Sequence, residues 1–595
     1  MPVEPFEITK LILGLIVLTI PGYLWSFYFS EKLKTAERIV FGFMITLGFL
    51  SCLSYILNAL FKIKITQTLA IILYLIFSIP IFILFALSAY KYDLSKLKPE
   101  KINIKYVWLL GIIIFVFFMT MLPHIINNYY LPFHVDEWIH WSYTRSVIET
   151  GQTSFPNPIS GAGELATPEI GFHVATANIK FFSGSTYLTI FLLMPSIISV
   201  FMALTAFNIG ERSKRKYGLE AAFLIAFIPT TCRFLGPSFY VAVTMGLLIL
   251  IFVIWLAIFK KIQSAILISA FIFFMFIVHP VTALAGSIIL LVYSVFLFID
   301  KQYKTGLWTI IFSVVPVIMI YYISTRWEFI IEKFLESLQG EEYIANLPAI
   351  WISFNYLSII TWALFIIGAY FSFTRGGSMK RTMSLSSIAF IIIIGLYYHY
   401  NYGLPIIYDR AFMYLYLLVV LVAAIGLSEI RRTILDLKKN KKYKSSFLKY
   451  KNIENILPIA IGMIIVLTAV PVHMDIGYYQ LISEENYDDF IWLEENIEDY
   501  RDVNHSYDRA VVNPYEASAF AAITGISVVS SSMHPLYRLD KKDIILSFLK
   551  NDCIDTDLLN RYKASIVYKN IFGKCRNNNL TQIRDNIYIY SNLTE

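Results

Sequence analysis

Apolar runs of about twenty residues recur along most of the chain and restrict its fold more than any other feature. Each run is close to the length at which a helix crosses a 30 Å hydrocarbon core. A spanning segment must satisfy its backbone hydrogen bonds internally, which favours helices. The runs lie at about 9–28, 39–60, 67–89, 106–123, 185–208, 219–230, 238–258, 263–278, 281–298, 306–323, 349–371, 384–399, 408–428 and 454–471. They predict a mainly α, polytopic membrane domain of about fourteen transmembrane helices.

The composition agrees with a membrane protein. Of the 595 residues, 57% are hydrophobic and only 15% are charged, whereas soluble chains carry roughly 25% charged residues. The formal net charge of +7 does not indicate nucleic-acid binding, because the basic residues lie in short connections between apolar runs. The bilayer is the expected partner, and nucleic acid is excluded. No cleavable signal peptide is expected, because Glu4 and Glu7 precede a long first run without a small-residue cleavage site after it.

Charge asymmetry predicts the orientation in the membrane. More than half of the 49 Lys and Arg residues lie in alternate connections, from the segment 32–38 to the segment 431–451. The positive-inside rule makes this set cytoplasmic. The other set, which includes the long segment 124–184 and everything after about 472, is then external. We therefore expect a multi-pass cell-membrane protein with an extracytoplasmic N-terminus and C-terminal region.

The residue pattern of the C-terminal region, 473–595, differs from that of the membrane region. Its helical periodicity at 484–498, 540–550 and 555–562 alternates with strand-like runs at 510–513, 526–530, 565–569 and 587–590. This alternation predicts a small α/β extracytoplasmic domain. Two of the four cysteines, Cys553 and Cys575, lie in this region. An oxidising exterior favours their pairing, but the sequence leaves paired and free thiols equally open.

The external segment HVDEWIHWSYTRSVIETG at 134–151 is the most informative for function. Its apolar residues recur at helical spacing, and Gly151 is a helix-stop signal. The apolar positions are Trp138, Trp141, Val147 and Ile148, and the polar positions opposite them are Glu137, His140 and Arg145. The pattern predicts an amphipathic helix at the outer interface, where tryptophan is favoured.

Two acids begin this helix, and two interpretations of them stay open. In the first, Asp136 is an N-cap and Glu137 complements the helix dipole. In the second, an acid beside the membrane is the base for an acceptor hydroxyl. Adjacent helix residues point about 100° apart, so both acids cannot face one reacting atom. The second interpretation makes Asp136 the base and leaves Glu137 as a supporting residue or cation ligand. His134, His140 and Arg145 are neighbouring site candidates.

HVDEW at 134–138 resembles the GT-C fold membrane glycosyltransferases, which use polyprenyl-phosphate-linked sugars. In that superfamily an Asp or Asp-Glu motif lies in the first large external loop, after a transmembrane helix. HPVTALAG at 279–286 and YDRAFMYLYLLVVLVAAIGL at 408–427 are also similar to it, as are the opening stretches PGYLWSFYF and AERIVFGFMITLGF. The resemblance implies leading helices over 1–105, a catalytic membrane domain over 106–472 and a soluble domain over 473–595.

The resemblance also implies a role for arginines at external helix ends. An arginine at the start of a late helix, here Arg410 beside Asp409, is expected to hold the lipid-phosphate leaving group. Arg233 and Arg326 are further candidates for that role. For each arginine the alternative is interfacial snorkelling. His279 precedes a proline at a helix junction and is a site candidate, with a buried, hydrogen-bonded histidine as the alternative.

These residues predict an inverting glycosyltransferase that moves one monosaccharide from a dolichyl or undecaprenyl phosphate to an external glycan, lipid or protein acceptor. The Trp-Trp-Asp-Tyr-Gly signature of oligosaccharyltransferases is absent, which argues against transfer of a whole glycan to asparagine. No metal-ligand spacing appears, so the metal is undetermined, with Mg or Mn as the candidate cofactor. The alternatives are a transporter or flippase of lipid-linked sugars and a catalytically inactive membrane scaffold.

Overall fold

The apolar runs form helices in the predicted order and close to the predicted bounds. The computed structural model describes residues 4–30, 32–91, 104–161, 163–165, 167, 169–230, 235–323, 355–400, 405–439, 453–474, 480–496, 509–531 and 541–590. The helices of the membrane region and its long loop are α1 (Pro5–Phe29), α2 (Thr35–Phe61), α3 (Gln67–Lys91), α4 (Ile104–Asn127), α5 (Val135–Thr150), α6 (Ile170–Ser183), α7 (Tyr187–Arg212), α8 (Gly218–Ile225), α9 (Ala242–Ala257), α10 (Ile262–Val278), α11 (Pro280–Ile299), α12 (Tyr303–Ile323), α13 (Ile359–Arg375), α14 (Ser378–Tyr400), α15 (Pro405–Lys439) and α16 (Ile453–Met474).

Length and composition make this region a polytopic membrane domain. Within the described residues, eight helices are long and apolar enough to cross a membrane, and four further apolar helices are 10–17 residues long. The expected spans at 219–230 and 349–371 differ from the structure. In the first, helix α8 ends at Ile225, just before Pro229, which has no N–H to donate. In the second, described helix begins only at Ile359, and the start of the predicted run lies outside the described residues.

Helix α15 forms the centre of the bundle. Its side chains from Ala411 to Ile425 are at most 1% exposed. Gly368 of α13 and Gly426 of α15 lie against backbone atoms of the partner helix, so that neither position has room for a Cβ. Small residues at such crossings let two helix backbones approach closely inside a membrane. This packing fixes the start of α15, which carries Arg410.

The helices place two chemically different regions at opposite ends of the bundle. Helix α7 begins at Tyr187, whose ring stacks on Trp141 of α5. It ends roughly 39 Å away at Arg212, which bonds Glu37 at the start of α2. Several other basic connections lie at this second end, which we call the basic end. The long loop with α5 and α6 lies at the first end.

Helix α5 is buried on both sides, whereas the sequence predicted an amphipathic helix with one polar side. Trp138 and Val147 on its apolar side are 0% exposed, but Glu137 and His140 on its polar side are also buried. The polar side is covered because α6 and the segment before α9 pack on it. Its end is fixed by the buried Asn58 amide, which donates to the carbonyl of Gly151 at 3.0 Å. Gly151 has φ +68°, which suits glycine at a helix C-cap.

The C-terminal region folds into the expected α/β arrangement. Its elements are α17 (Glu484–Asn496), β3 (Arg509–Val511), α18 (Ala517–Thr524), β4 (Ser527–Val528), α19 (Lys542–Lys550), α20 (Thr556–Tyr562), β5 (Ala564–Tyr568), β6 (Leu580–Arg584) and β7 (Ile587–Tyr590). The strand order is β4-β3-β5-β7-β6, parallel in the first three strands and antiparallel in the last three. The sequence did not predict α18 and β6.

The sheet joins the rest of the molecule on one face. Phe490 of α17 packs on Phe520 of α18 and on Tyr568 of β5, and this group is continuous with the membrane-domain core. The opposite face packs on α19 and α20. There Cys553 and Cys575 form a disulfide, which answers the pairing left open by the sequence. The long loop also contacts this sheet. It contains a short hairpin of β1 (Phe155–Pro156) and β2 (Glu164–Leu165), which precedes α6. Between these strands, the carbonyl of Ile159 accepts a hydrogen bond from the backbone N–H of Val528 at 2.7 Å.

Candidate functional site

The site is built around the first turn of α5, where His134 is the N-cap. Its Nδ1 accepts the backbone N–H of Asp136 at 3.1 Å. Glu137 lies three residues after His134, and its side chain accepts the backbone N–H of His134, which completes a capping box. The cap is therefore made by His134 and Glu137. Asp136 is not the N-cap, so the first of the two interpretations of this residue is wrong about its position.

The carboxylate of Glu137 accepts hydrogen bonds from backbone N–H groups. Its Oε2 accepts from the N–H groups of Phe133 and His134 at 3.0 and 3.1 Å, and its Oε1 accepts from the N–H of Tyr240 at 2.9 Å. The residue is 1% exposed. Burial raises the pKa of Glu137 to about 7, although the three N–H donors act in the opposite direction. Glu137 thus ties the start of α5 to the segment that leads into α9, and we interpret it as a positioning residue.

Asp136 faces a different direction and is the more accessible acid. Its side chain is 30% exposed, with Oδ1 3.8 Å from Nδ1 of His134. His140 follows four residues later and lies on the same side of the helix. Burial lowers the pKa of His140 to about 4, while the Asp136 charge acts to raise it and the Arg410 charge to lower it. His140 is therefore neutral at pH 7. Of the two acids in the first turn of α5, Asp136 is the one that a ligand can reach.

Glu169, which the sequence analysis did not single out, lies at the centre of the site. It is the N-cap residue of α6 but makes no side-chain capping hydrogen bond. Its carboxylate instead faces two histidines, with Oε1 3.4 Å from Nε2 of His279 and Oε2 3.8 Å from Nε2 of His140. Burial raises the pKa of Glu169 to about 7, the Arg410 charge lowers it, and the Asp136 charge raises it.

His279 is held by the first turn of α11. Its Nδ1 accepts the backbone N–H of Thr282 at 3.2 Å and lies 2.6 Å from the Thr282 hydroxyl. That hydroxyl in turn lies 2.9 Å from the hydroxyl of Tyr414 on α15. Because Nδ1 accepts a backbone N–H, the neutral ring carries its proton on Nε2, the atom that faces Glu169. The ring is buried and hydrogen-bonded, as the alternative interpretation expected, and it also borders the site.

Arg410 stands in the early turns of α15 and brings positive charge to this group. Its charge acts to lower the pKa of both Glu169 and His140, so it acts on this group of side chains. We call Asp136, His140, Glu169, His279 and Arg410 the site cluster. Asp409 lies in the same helix, but its side chain is outside the described part of the structure. Arg233 and Arg326 also lie outside the described residues, so their predicted role stays a prediction.

Arg145 points away from the site cluster. It lies nine residues after Asp136, about 180° round the helix. Its guanidinium contacts Glu149 at 2.6 Å and Glu494 of α17 at 2.8 Å. The structure therefore separates Arg145 from the other candidates of this helix.

The predicted divalent cation finds little support among the described side chains. No group of three or more His, Cys, Asp and Glu residues among them is arranged to hold a metal ion. The Asp136 charge acts to raise the pKa of Glu169, and the Arg410 charge acts to lower it. The divalent cation therefore stays a prediction.

Comparison with known proteins gives structural likeness only. No protein-family model and no curated protein matches the sequence. Solved structures of the Archaeoglobus fulgidus oligosaccharyltransferase are similar to it. The apo crystal structure is 12% identical, covers 78% of this chain and 69% of the archaeal one, and has a TM-score of 0.49. A complex of archaeal AglB with an inhibitory peptide and a dolichol-phosphate gives the same coverage and TM-score at 13% identity. A complex with Zn and sulfate scores 0.48. Likeness at this level carries no argument about activity, which rests on the site.

Proposed function

We propose that this protein is an integral membrane glycosyltransferase that transfers a monosaccharide from a polyprenyl phosphate to an extracytoplasmic acceptor. The observation that supports this most is the site cluster itself. It places two partly exposed carboxylates, Asp136 and Glu169, within reach of the Arg410 charge at one end of a membrane bundle. A polyprenyl-linked donor carries its phosphate at the membrane surface, which is where the ends of spanning helices lie.

The chemistry needs two groups, and the site cluster has both. The acceptor hydroxyl gives its proton to Asp136 as its oxygen forms a bond to the anomeric carbon. The bond between that carbon and the phosphate oxygen breaks, and the electron pair leaves with the polyprenyl phosphate. Negative charge grows on the departing phosphate, where a preorganised cation is most effective. A single displacement of this kind inverts the anomeric carbon.

Arg410 is the proposed partner of the phosphate. A guanidinium matches two phosphate oxygens with a planar pair of N–H donors. The Glu169 carboxylate attracts the Arg410 guanidinium in the absence of donor, and the Nε2–H of His279 faces that same carboxylate. His140, neutral because of its burial, adds no charge that would compete with the arginine.

The external placement of the site is part of the proposal. Arg145 and Ile159 join the site end of the molecule to the C-terminal region, so both are on the same side of the membrane. That region carries the Cys553–Cys575 disulfide, and disulfides persist in oxidising compartments outside the cytosol. The opposite, basic end agrees with a cytoplasmic face. These two independent features support the same orientation.

The test uses purified protein in proteoliposomes with a radiolabelled polyprenyl-phosphate hexose and an extract of deglycosylated surface acceptors. We expect label to move from the lipid to the acceptor fraction, with stoichiometric release of polyprenyl phosphate. Label that crosses the bilayer while it stays lipid-linked would identify a flippase instead. Lipid that neither moves nor loses its sugar, together with unchanged surface glycans in a deletion strain, would identify a scaffold.

A further inference from the structure

Arg145 connects the catalytic helix to the C-terminal domain. Three acceptors surround its guanidinium, and each comes from a different element. They are the carboxylate of Glu149 on α5 itself, that of Glu494 on α17, and the backbone carbonyl of Ile523 at the end of α18. The side chain is 17% exposed. A partly buried arginine with three acceptors is held far more tightly than a surface arginine with one.

The far side of this contact is shaped to receive the arginine. Gly525 ends α18 with φ +73°, and a Cβ built on it would meet Nη2 of Arg145 at 2.9 Å. A side chain at this position would displace the guanidinium and would strain the backbone. The carbonyl of Ile523 lies in the last turn of α18, where helix carbonyls lack an intrahelical partner and the dipole favours a cation.

The contact acts on the side of α5 opposite to Asp136. The two residues are nine positions apart, which is about 180° round the helix. Asn58 of α2 holds the end of α5 by a hydrogen bond to the carbonyl of Gly151. Glu137 holds the start of α5 by accepting the backbone N–H of Tyr240. Arg145 adds a tie to the C-terminal domain, where Phe490 and Phe520 pack α17 and α18 into one unit. A shift of that unit therefore turns or displaces α5.

We propose that Arg145 is a positioning residue through which the C-terminal domain sets the orientation of α5 and hence of Asp136. The inference deepens the proposed function, on which it rests. Its consequence is that the C-terminal domain takes part in turnover, because any movement of α17 and α18 reaches the proposed base. Small displacements of a reacting group of about 1 Å can lower a rate on the order of 100-fold.

The first experiment needs no activity. Hydrogen–deuterium exchange of the full-length protein in detergent is compared for wild type, Arg145→Gln and Lys569→Gln. Lys569 is the matched control, because its ammonium pairs with Asp552 at 3.4 Å beside the end of α19, on the other side of the sheet from α17 and α18. We expect faster exchange in Arg145→Gln over the first turn of α5 as well as over α18. Wild-type exchange at the first turn of α5 in Arg145→Gln, or equal acceleration there in Lys569→Gln, would overturn the coupling.

The second experiment separates positioning from folding. In Arg145→Gln we expect kcat, measured per folded protein, to fall about tenfold to 100-fold, while KM for the polyprenyl-phosphate hexose changes little. Arg145→Lys keeps the charge and should recover part of the loss. Glu494→Gln should lower kcat in the same direction, and less than additively when combined with Arg145→Gln.

The outcomes of the two experiments are separable. Faster exchange with unchanged kcat would make Arg145 a purely structural tie and overturn its role in turnover. An inactive wild-type protein would instead count against the proposed function, while the exchange data would still decide whether the C-terminal domain holds α5.

Discussion

The site cluster and the basic end of the membrane bundle differ in how closely their charged side chains pair. At the basic end, charges meet in close pairs. Nε of Arg212 lies 2.5 Å from Glu37, Nη2 of Arg381 lies 2.6 Å from Asp300, and Glu429 pairs with Arg215 and Arg432. At the site end, the carboxylate of Glu169 lies 3.4 and 3.8 Å from two histidines. Ordinary hydrogen bonds in proteins measure 2.7–3.2 Å.

The difference teaches where a ligand is expected. At the basic end, each charged side chain already has a partner of opposite charge. These pairs stabilise the helix ends and the orientation of the protein in the membrane without a bound ligand. In the site cluster, Glu169 lies too far from His140 and His279 for strong pairing with either, and burial raises the pKa of Glu169 to about 7. Such perturbed groups gathered around a partly exposed acid are typical of functional sites. The comparison therefore predicts that substitutions in the site cluster alter turnover, whereas substitutions at the basic end alter stability.

The largest effect is expected for Asp136→Asn. The amide cannot take the acceptor proton, and a general base typically contributes on the order of 100-fold to 10,000-fold in rate. Turnover of the labelled polyprenyl-phosphate hexose, normalised to folded protein, should fall by that factor with donor binding nearly intact.

Glu137→Gln is the matched control for that variant, because it changes the neighbouring acid in the same way. An amide at 137 places an N–H₂ group where a carboxylate accepts three backbone N–H groups, so folding yield should fall first. A fully active Asp136→Asn enzyme would remove Asp136 from the role of base.

Arg410→Ala should have the next largest effect. If the guanidinium holds the departing phosphate, its loss weakens an interaction that grows toward the transition state, and kcat falls. Removing one such donor costs on the order of 2.7–4 kcal/mol, or roughly 100-fold to 1,000-fold in rate.

Arg410→Lys tests the planar geometry against charge alone. We expect partial rescue, because lysine keeps the charge but loses the two-pronged donor. Snorkelling predicts a silent lysine variant and an alanine variant that is poorly inserted but active once folded. Full activity per folded molecule in Arg410→Ala would move the search to Arg233 and Arg326.

The sequence predicted the helices well and the site only in part. Hydropathy determines where helices such as α2 and α7 cross, since each run must bury its backbone in lipid. Asp136, His140, His279 and Arg410 were named as candidates because each stands at a helix start or in a polar stretch, and the structure brings these candidates together. Glu169 was missed, because an acid before a helix reads as an ordinary N-cap, and only the fold shows that it makes no cap.

The local sequence also misjudged the two sides of α5. The alternation of tryptophans with Glu137 and His140 indicated a helix with one wet side. Whether a polar side is wet depends on residues far away in sequence, here Tyr240 and the α6 residues that cover it. The contact of Arg145 with Glu494 and Ile523 spans more than half the chain and leaves no local pattern.

Glu169→Gln is expected to change the pH dependence more than the maximal rate. The pKa of Glu169 is raised to about 7, so the carboxyl is protonated below that pH and ionised above it. If the ionised form orients Arg410 and His279, wild-type kcat/KM rises with pH through about 7. In the glutamine variant, kcat/KM should no longer rise with pH through this range. Above pH 7 it should be about tenfold lower than in wild type, which corresponds to the loss of a charged contact of about 1.5 kcal/mol.

The contribution of Glu169 to stability changes with pH in the opposite direction to its expected effect on kcat/KM. The folded protein holds the proton on Glu169 more tightly than the unfolded chain does, so the stabilisation is complete below the ordinary pKa of 4.5 and is lost as pH rises through about 7. Thermal unfolding of Glu169→Gln between pH 5 and 8 should therefore vary less than that of wild type. A rate limb that persists unchanged in this variant would belong to Glu137, whose pKa is also raised to about 7.

The smallest effect is expected at the basic end, for Arg381→Gln. Arg381 bonds both oxygens of Asp300, and the hydroxyl of Ser378 donates to the same carboxylate at 2.6 Å. Both charged side chains are partly exposed, at 19% and 26%, so solvent screens the pair and its loss should cost less than about 1 kcal/mol. Turnover per folded protein should equal that of wild type, because α11 and α14 meet here far from Asp136. Turnover that falls tenfold in Arg381→Gln, with an unchanged unfolding temperature, would break the division between the two ends. It would mean that the closed pairs at the basic end take part in turnover, as a transport cycle with access from both sides requires.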